Sequence, residues 1–147
     1  MIDILSEPQG EAYYELLQLA KQHCTSFSLV WQDIFRFSDS ADNLERTLLP
    51  FLIREELTNV WPGTEIRGHK ARVCHYRVTD ESVSILADVS GLYAWLAPEM
   101  PEDLAFYAAD GSCWLFSIAH EKDAAIMSES ISMDEVRAAI PGLSLRV

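Results

Sequence analysis

Cysteine and basic residues are both scarce in this sequence, and each shortage argues against a class of protein. The three cysteines, Cys24, Cys74 and Cys113, are an odd number with no CxxC spacing. That pattern does not fit a disulfide scaffold, and we expect reduced, buried thiols, with a nucleophilic or zinc-binding cysteine as the alternative. Eleven basic residues stand against 23 acidic ones, a net charge of −12. Since such a chain repels phosphate backbones, we expect no nucleic-acid binding.

Long apolar runs and the common catalytic motifs are also missing. No run approaches the roughly 20 apolar residues of a membrane span, and the N-terminal MIDILSEPQGE is acidic rather than signal-like. We therefore expect no membrane association and a cytoplasmic location. The sequence contains no GxSxG, GxGxxG, GxxxxGK[ST] or HExxH motif. It lacks the usual marks of an enzyme, and no cofactor is predicted.

The composition is that of a globular domain with an uneven charge. The chain has 147 residues, of which 49% are hydrophobic, enough for one domain spanning residues 1–147. Residues 1–77 carry 8 basic and 11 acidic side chains, whereas residues 78–147 carry 3 and 12. An acidic surface of this kind suits a basic protein partner or a cation, and simple solubility is the alternative explanation.

Hydrophobic periodicity predicts alternating helices and strands in the first 100 residues. A three- and four-residue repeat predicts a helix of about 14 residues after Gly10, and alternation predicts a strand over 26–37. From Ala41 a leucine pattern reaching Leu57 predicts helix, kinked or divided at Pro50. The turn WPGT precedes a basic strand over 67–78, and Thr79-Asp80 would cap a helix that ends near 91.

The most strongly patterned stretch is Pro101–Glu121, PEDLAFYAADGSCWLFSIAHE. Two apolar, aromatic-rich runs flank Asp110-Gly111, and this arrangement is typical of a β-hairpin. Beyond it we predict a short helix over 134–140 and an edge strand over 143–147. Together these elements predict an α+β fold, a single domain with a mostly antiparallel sheet and helices packed on it.

Three motifs, WPGT (61–64), GLYAW (91–95) and PEDLAFY with GSCWLFSIAHE (101–121), resemble those of an uncharacterised family of small bacterial cytoplasmic proteins. The resemblance covers roughly residues 61–123, less than half of the chain. It implies a bacterial cytoplasmic source and a compact single domain. The family has no assigned activity, so the resemblance assigns no functional residues.

Two groups of side chains are candidates for function. The first combines acidic groups with aromatic anchors around the start of the hairpin, as a docking surface for a basic protein does. Its members are Tyr93, Trp95, Glu99, Glu102, Asp103 and Tyr107. Core aromatics and a turn-capping carboxylate are the structural alternative.

The second group follows the hairpin's last strand. His120, Glu121 and Asp123 offer an imidazole and two carboxylates that could bind a divalent metal or act as acid and base. The alternative is a histidine bonded to backbone beside a capping carboxylate. His69 and His75 could join only through the fold. The basic side chains of residues 67–77 are expected to pair with the acidic second half of the chain.

The leading hypothesis is a non-enzymatic bacterial protein-binding module, in its sharpest form an acidic immunity protein that neutralises a basic toxin domain. Small size, strong acidity and the missing catalytic motifs favour it. The alternative is a small metal-dependent enzyme centred on His120, Glu121 and Asp123. A homo-oligomer with a structural or regulatory role is a third hypothesis.

Overall fold

The computed structural model describes residues 1–147 and has four helices, ten strands and three short 3₁₀ turns. The helices are α1 (Glu11–His23), α2 (Asp39–Leu48), α3 (Asp80–Leu86) and α4 (Met133–Ala139). The strands are β1 (Ile2–Ile4), β2 (Ser26–Trp31), β3 (Leu52–Thr58), β4 (Val60–Trp61), β5 (Thr64–Glu65), β6 (Ala71–Arg77), β7 (Glu102–Tyr107), β8 (Cys113–Ile118), β9 (Asp123–Ile126) and β10 (Leu145–Arg146). None of the helices combines the length and apolarity needed to cross a bilayer.

Eight strands form one antiparallel sheet in the order β10-β1-β9-β8-β7-β2-β6-β3, and β4 pairs with β5 in a separate small hairpin. This arrangement confirms the predicted α+β class with a mostly antiparallel sheet. The predicted hairpin is also present, as β7 paired with β8 around the turn at Gly111. Helices α1 and α4 lie where the sequence patterns predict them, and α3 begins as predicted but ends at Leu86 rather than near residue 91. Thr79 and Ser132 cap α3 and α4 through reciprocal capping boxes.

Apolar side chains are buried on both faces of the central strands. Leu29 and Trp31 of β2 belong to a core of 32 buried residues that also takes in side chains from all four helices. Val30, between them, faces the other way and packs with Trp61 and Val73 in a separate core of four. Because successive strand residues point to opposite faces, the helices cover one face of the sheet and the β4–β5 hairpin covers part of the other.

The predicted helix through Leu57 is wrong in its second half. Helix α2 ends at Leu48, a 3₁₀ turn spans Leu49–Phe51, and Leu52–Thr58 is strand β3, paired with β6. Pro50 explains the break, because proline has no N–H to continue the helical ladder. Strand β1 and strand β9 were not predicted either. Both have four residues or fewer, and their extended conformation is stabilised by pairing with neighbouring strands.

Gly63, in the turn between β4 and β5, lies close against the sheet. Its φ is +83°, and a Cβ built there would lie 2.8 Å from the Phe116 ring. Gly111 has a similar φ of +86° but open space around it.

We predict that Gly63→Ala destabilises the protein by about 1 kcal/mol or more beyond Gly111→Ala, since only the first adds overpacking to the cost of left-handed backbone. Urea denaturation of both variants measures this. Equal losses would contradict it.

Candidate functional site

Two carboxylates and an imidazole meet at one end of the sheet. Potential ligand atoms of Glu102, Asp103 and His120 all lie within 4.8 Å of one another. Glu102 and Asp103 begin β7, and His120 follows the last residues of β8. Because β7 and β8 are antiparallel neighbours, the start of one and the end of the other lie at the same edge.

A β-bulge places the two adjacent carboxylates together. Between the pairs Val30–Glu102 and Ser28–Ala105, strand β7 advances three residues while β2 advances two. The additional residue lies in the stretch that contains Asp103, whose φ is +58°, in the left-handed region. A left-handed residue at such a bulge re-aims the following side chains. Glu102 and Asp103, which a regular strand would point to opposite faces, therefore approach the same imidazole.

Asp103 is fixed by hydrogen bonds to both of its oxygens. The Trp61 indole N–H donates to Oδ2 at 2.9 Å, and the Ala119 backbone N–H donates to Oδ1 at 3.0 Å. The residue is only 2% exposed. Burial raises the pKa of Asp103, while these two hydrogen bonds and the nearby His120 oppose the rise. A carboxylate oriented in this way by neighbouring donors is a common feature of metal ligands.

Glu102 has weaker support. It is 5% exposed, and its one hydrogen bond comes from the Gln32 side-chain amide at 3.3 Å. Burial raises the pKa of Glu102, the Asp103 carboxylate adds to the rise, and Gln32 and His120 lower it. The Gln32 amide oxygen in turn lies 2.9 Å from His69 Nε2. His69 therefore reaches the cluster through Gln32, behind Glu102.

The site is open to solvent on the His120 side. The His120 side chain is 55% exposed, and its Nε2 lies 3.8 Å from Glu121 Oε1. The buried carboxylates thus face a group that solvent and a ligand can reach. Arranged in this way, the three side chains can hold a cation or exchange protons between the carboxylates and the imidazole.

Only His120 of the predicted metal set belongs to this cluster. Glu121 contacts it at the edge, and Asp123 lies in β9, opposite Ile118. His75 lies elsewhere, since its ring is near Arg54, Glu56 and Tyr107. The two carboxylates of the cluster, Glu102 and Asp103, were predicted as partner-binding residues of the docking surface instead.

The predicted docking surface is not exposed as expected. Tyr93, Trp95, Glu102 and Asp103 are buried, at 8% exposure or less. Trp95 lies in the main core, where its indole N–H donates to the Tyr13 hydroxyl at 3.1 Å. The expectation of a continuous exposed patch is therefore wrong for four of its six members.

The remaining two members lie apart. Tyr107 is half-buried, and its hydroxyl lies 2.8 Å from Ser28 Oγ. Glu99 is exposed and lines a groove of about 470 Å³ bordered by residues of α2 and α3. This groove does not include the carboxylate–histidine cluster. The acidic docking surface stays a prediction for Glu99 alone among the residues named for it.

The expected pairing of the basic strand with the acidic second half is also wrong for Arg72. Arg72 pairs with Asp33, Glu45 and Glu55, at 3.0 to 3.2 Å. All three carboxylates belong to residues 1–77. The negative charge of residues 78–147 is thus left without these basic partners.

Comparisons with protein-family models, with curated proteins and with solved structures found no match to this chain. The family resemblance of the three motifs therefore remains a prediction.

The raised pKa of Glu102 predicts a pH-dependent stability. The folded state retains the Glu102 proton where the unfolded chain has lost it, so this residue reduces stability as pH rises from about 4 through the raised folded pKa. Glu102→Gln removes this effect. We predict that the free energy of unfolding of Glu102→Gln, relative to wild type, increases between pH 4 and pH 7, measured by urea denaturation with EDTA present.

The exposed Glu99→Gln substitution is the matched control. It removes one acidic group of the same type without changing the buried cluster. Its stability relative to wild type should vary less with pH than that of Glu102→Gln. Identical pH profiles for the two variants would contradict the assigned effect of burial.

Proposed function

We propose that the protein binds a divalent metal ion through Glu102, Asp103 and His120 and is a small metal-dependent enzyme. The observation that carries this proposal is the approach of three potential ligand atoms to within 4.8 Å at two buried carboxylates. Two such carboxylates repel each other and have lost much of their hydration, so a cation at this point offsets both costs. The sequence predicted a metal-dependent enzyme centred on His120, Glu121 and Asp123. The present proposal keeps His120 as a ligand and replaces the other two residues with Glu102 and Asp103.

The type and number of ligands favour a catalytic rather than a structural site. Three protein ligands leave coordination positions for water or substrate, whereas structural zinc sites are closed by four. Carboxylate oxygens with one imidazole suit ions such as Mn²⁺ and Zn²⁺. The exposed side of His120 gives water and substrate a route to the ion. The chemistry that such an ion supplies is activation of bound water and polarisation of a substrate oxygen.

The surrounding residues have definite roles in this proposal. Trp61 and the Ala119 amide hold the Asp103 carboxylate in place. The Gln32 side chain donates to Glu102 and also contacts His69, so His69 lies one side chain away from the site. These are the outer hydrogen bonds that orient metal ligands and tune their basicity.

Metal titration with matched variants tests the proposal. We predict that the protein binds Mn²⁺ or Zn²⁺ at one site, measured by calorimetry after EDTA treatment and dialysis. Asp103→Asn should weaken binding about tenfold or more. Asparagine tolerates left-handed backbone but can accept only one of the two hydrogen bonds that Asp103 accepts, so circular dichroism must establish that the variant is folded. Glu102→Gln and His120→Ala should give similar losses.

Two controls separate this site from the group predicted from sequence. Glu121→Gln and Asp123→Asn remove charges near His120 without removing a member of the cluster. Both should bind the metal within about threefold of wild type, because each variant loses only an exposed, solvent-screened charge and no ligand. Binding that responds to these two variants but not to Asp103→Asn would contradict the proposed ligand set. Absence of binding by the wild-type protein would reject the proposal.

A second function is favoured by a different observation, the uneven charge. Residues 78–147 carry 12 acidic and 3 basic side chains, so the protein can attract a basic protein partner. In its sharpest form, this partner is a toxin domain that the protein neutralises as an immunity protein in the bacterial cytoplasm. Its support is the charge alone, and it needs no metal.

The charge distribution makes this second function testable. We predict that the tagged protein retains a basic partner from its source organism at low salt, and that neutralising Glu99 and Glu129 weakens retention. Neutralising Glu11 and Glu65, which are equally exposed acidic residues of the first half, should have less effect. Quantitative mass spectrometry of the retained proteins measures both. Equal effects of the two pairs, or no basic partner, would contradict this function.

A further inference from the structure

The two edges of the sheet differ greatly in length. Strand β10, at one edge, has two residues, whereas β3, at the other, has seven. All side chains from 53 to 57 are exposed, among them Ile53 at 50% and Leu57 at 64%. A long edge strand has a row of free N–H and C=O groups, and exposed apolar side chains on it favour pairing with another strand.

The charges of β3 are complementary to those of a second β3. When a strand pairs antiparallel with its own copy about a two-fold axis perpendicular to the sheet, the axis passes between two copies of one residue. With Glu55 at the axis, Arg54 lies opposite Glu56 of the second copy. By symmetry, Glu56 lies opposite Arg54 of the second copy, so two pairs of opposite charges form. Registers centred on Arg54 or Glu56 also place two like charges at the axis, and they form no pair of opposite charges. Opposite charges across strands stabilise a pair, and like charges destabilise it.

Arg54 and Glu56 already lie on one face of the strand. Arg54 Nη2 is 3.4 Å from His75 Nε2, and Glu56 Oε2 is 3.6 Å from the same nitrogen. Both side chains are exposed. They are therefore placed on the same side of the sheet, as a cross-strand pair with the second copy requires.

The axis itself brings two copies of Glu55 together, and the fold compensates for this charge. Glu55 Oε1 lies 3.0 Å from Arg72 Nη1, on the neighbouring strand β6. Arg72 supplies a positive charge beside each Glu55 and shares it with Asp33 and Glu45, so the repulsion at the axis is reduced in part. No equivalent compensation is needed at Arg54 and Glu56, which would pair with each other.

We propose that β3 pairs with β3 of a second copy of this chain, in the antiparallel register centred on Glu55, to form a two-fold dimer with a continuous sheet. Among registers centred on residues 53 to 57, this is the one that places Arg54 opposite Glu56. The β-bulge between Leu52 and Arg54 limits the regular pairing to the segment that follows it.

Charge reversal tests the register. Light scattering over a concentration series should show a wild-type dimer, and Arg54→Glu and Glu56→Arg should each weaken dimerisation about tenfold. An equimolar mixture of the two variants should restore it, because each variant then faces opposite charges on the other. Circular dichroism of each variant establishes that it is folded. A monomeric wild-type protein at about 100 µM, far above typical specific affinities, would overturn the proposal.

Crosslinking tests the centre of the interface independently. In a background that carries both Cys74→Ala, which removes the thiol opposite position 55 in the same chain, and Cys113→Ser, Glu55→Cys should form an intermolecular disulfide on mild oxidation, since directly opposite Cβ atoms lie about 4.5–5.5 Å apart. Glu81→Cys, exposed on α3, is the matched control and should crosslink much more slowly. A dimer that resists charge reversal and gives no faster crosslink at residue 55 than at residue 81 would place the interface elsewhere.

Discussion

The carboxylate of Asp103 joins three parts of the molecule. Its oxygens accept hydrogen bonds from the Trp61 indole in the β4–β5 hairpin and from the Ala119 amide after β8, while its backbone forms the left-handed turn of β7. The position of the hairpin and the direction of the chain after β8 are both tied to this one side chain. The candidate site depends on it too, because the bulge brings Glu102 to the same side.

Stability alone does not explain these residues. Glycine adopts left-handed backbone without the cost that aspartate pays there. An apolar side chain in place of Glu102 would remove the cost of burying a carboxylate with a single long hydrogen bond. Buried charged groups can often be replaced by apolar ones without loss of stability. The chain instead concentrates backbone strain and two desolvated charges at one point, and such concentrations are typical of functional sites.

Local signals made much of the fold predictable. The Asp110-Gly111 hairpin, the capped helices and the alternating strand before Val78 each follow from a few neighbouring residues. Strand β9 was missed because its sequence, DAAI, has no strand pattern of its own. The end of α2 was misplaced because leucines at helical spacing continue past Pro50, although two of them lie on β3.

The site shows a different limit of sequence reasoning. Its three residues were all named as candidates, but in two separate groups. His120 was separated from the two carboxylates because it follows a different strand, and only the pairing of β7 with β8 and the bulge at Asp103 bring the three side chains together.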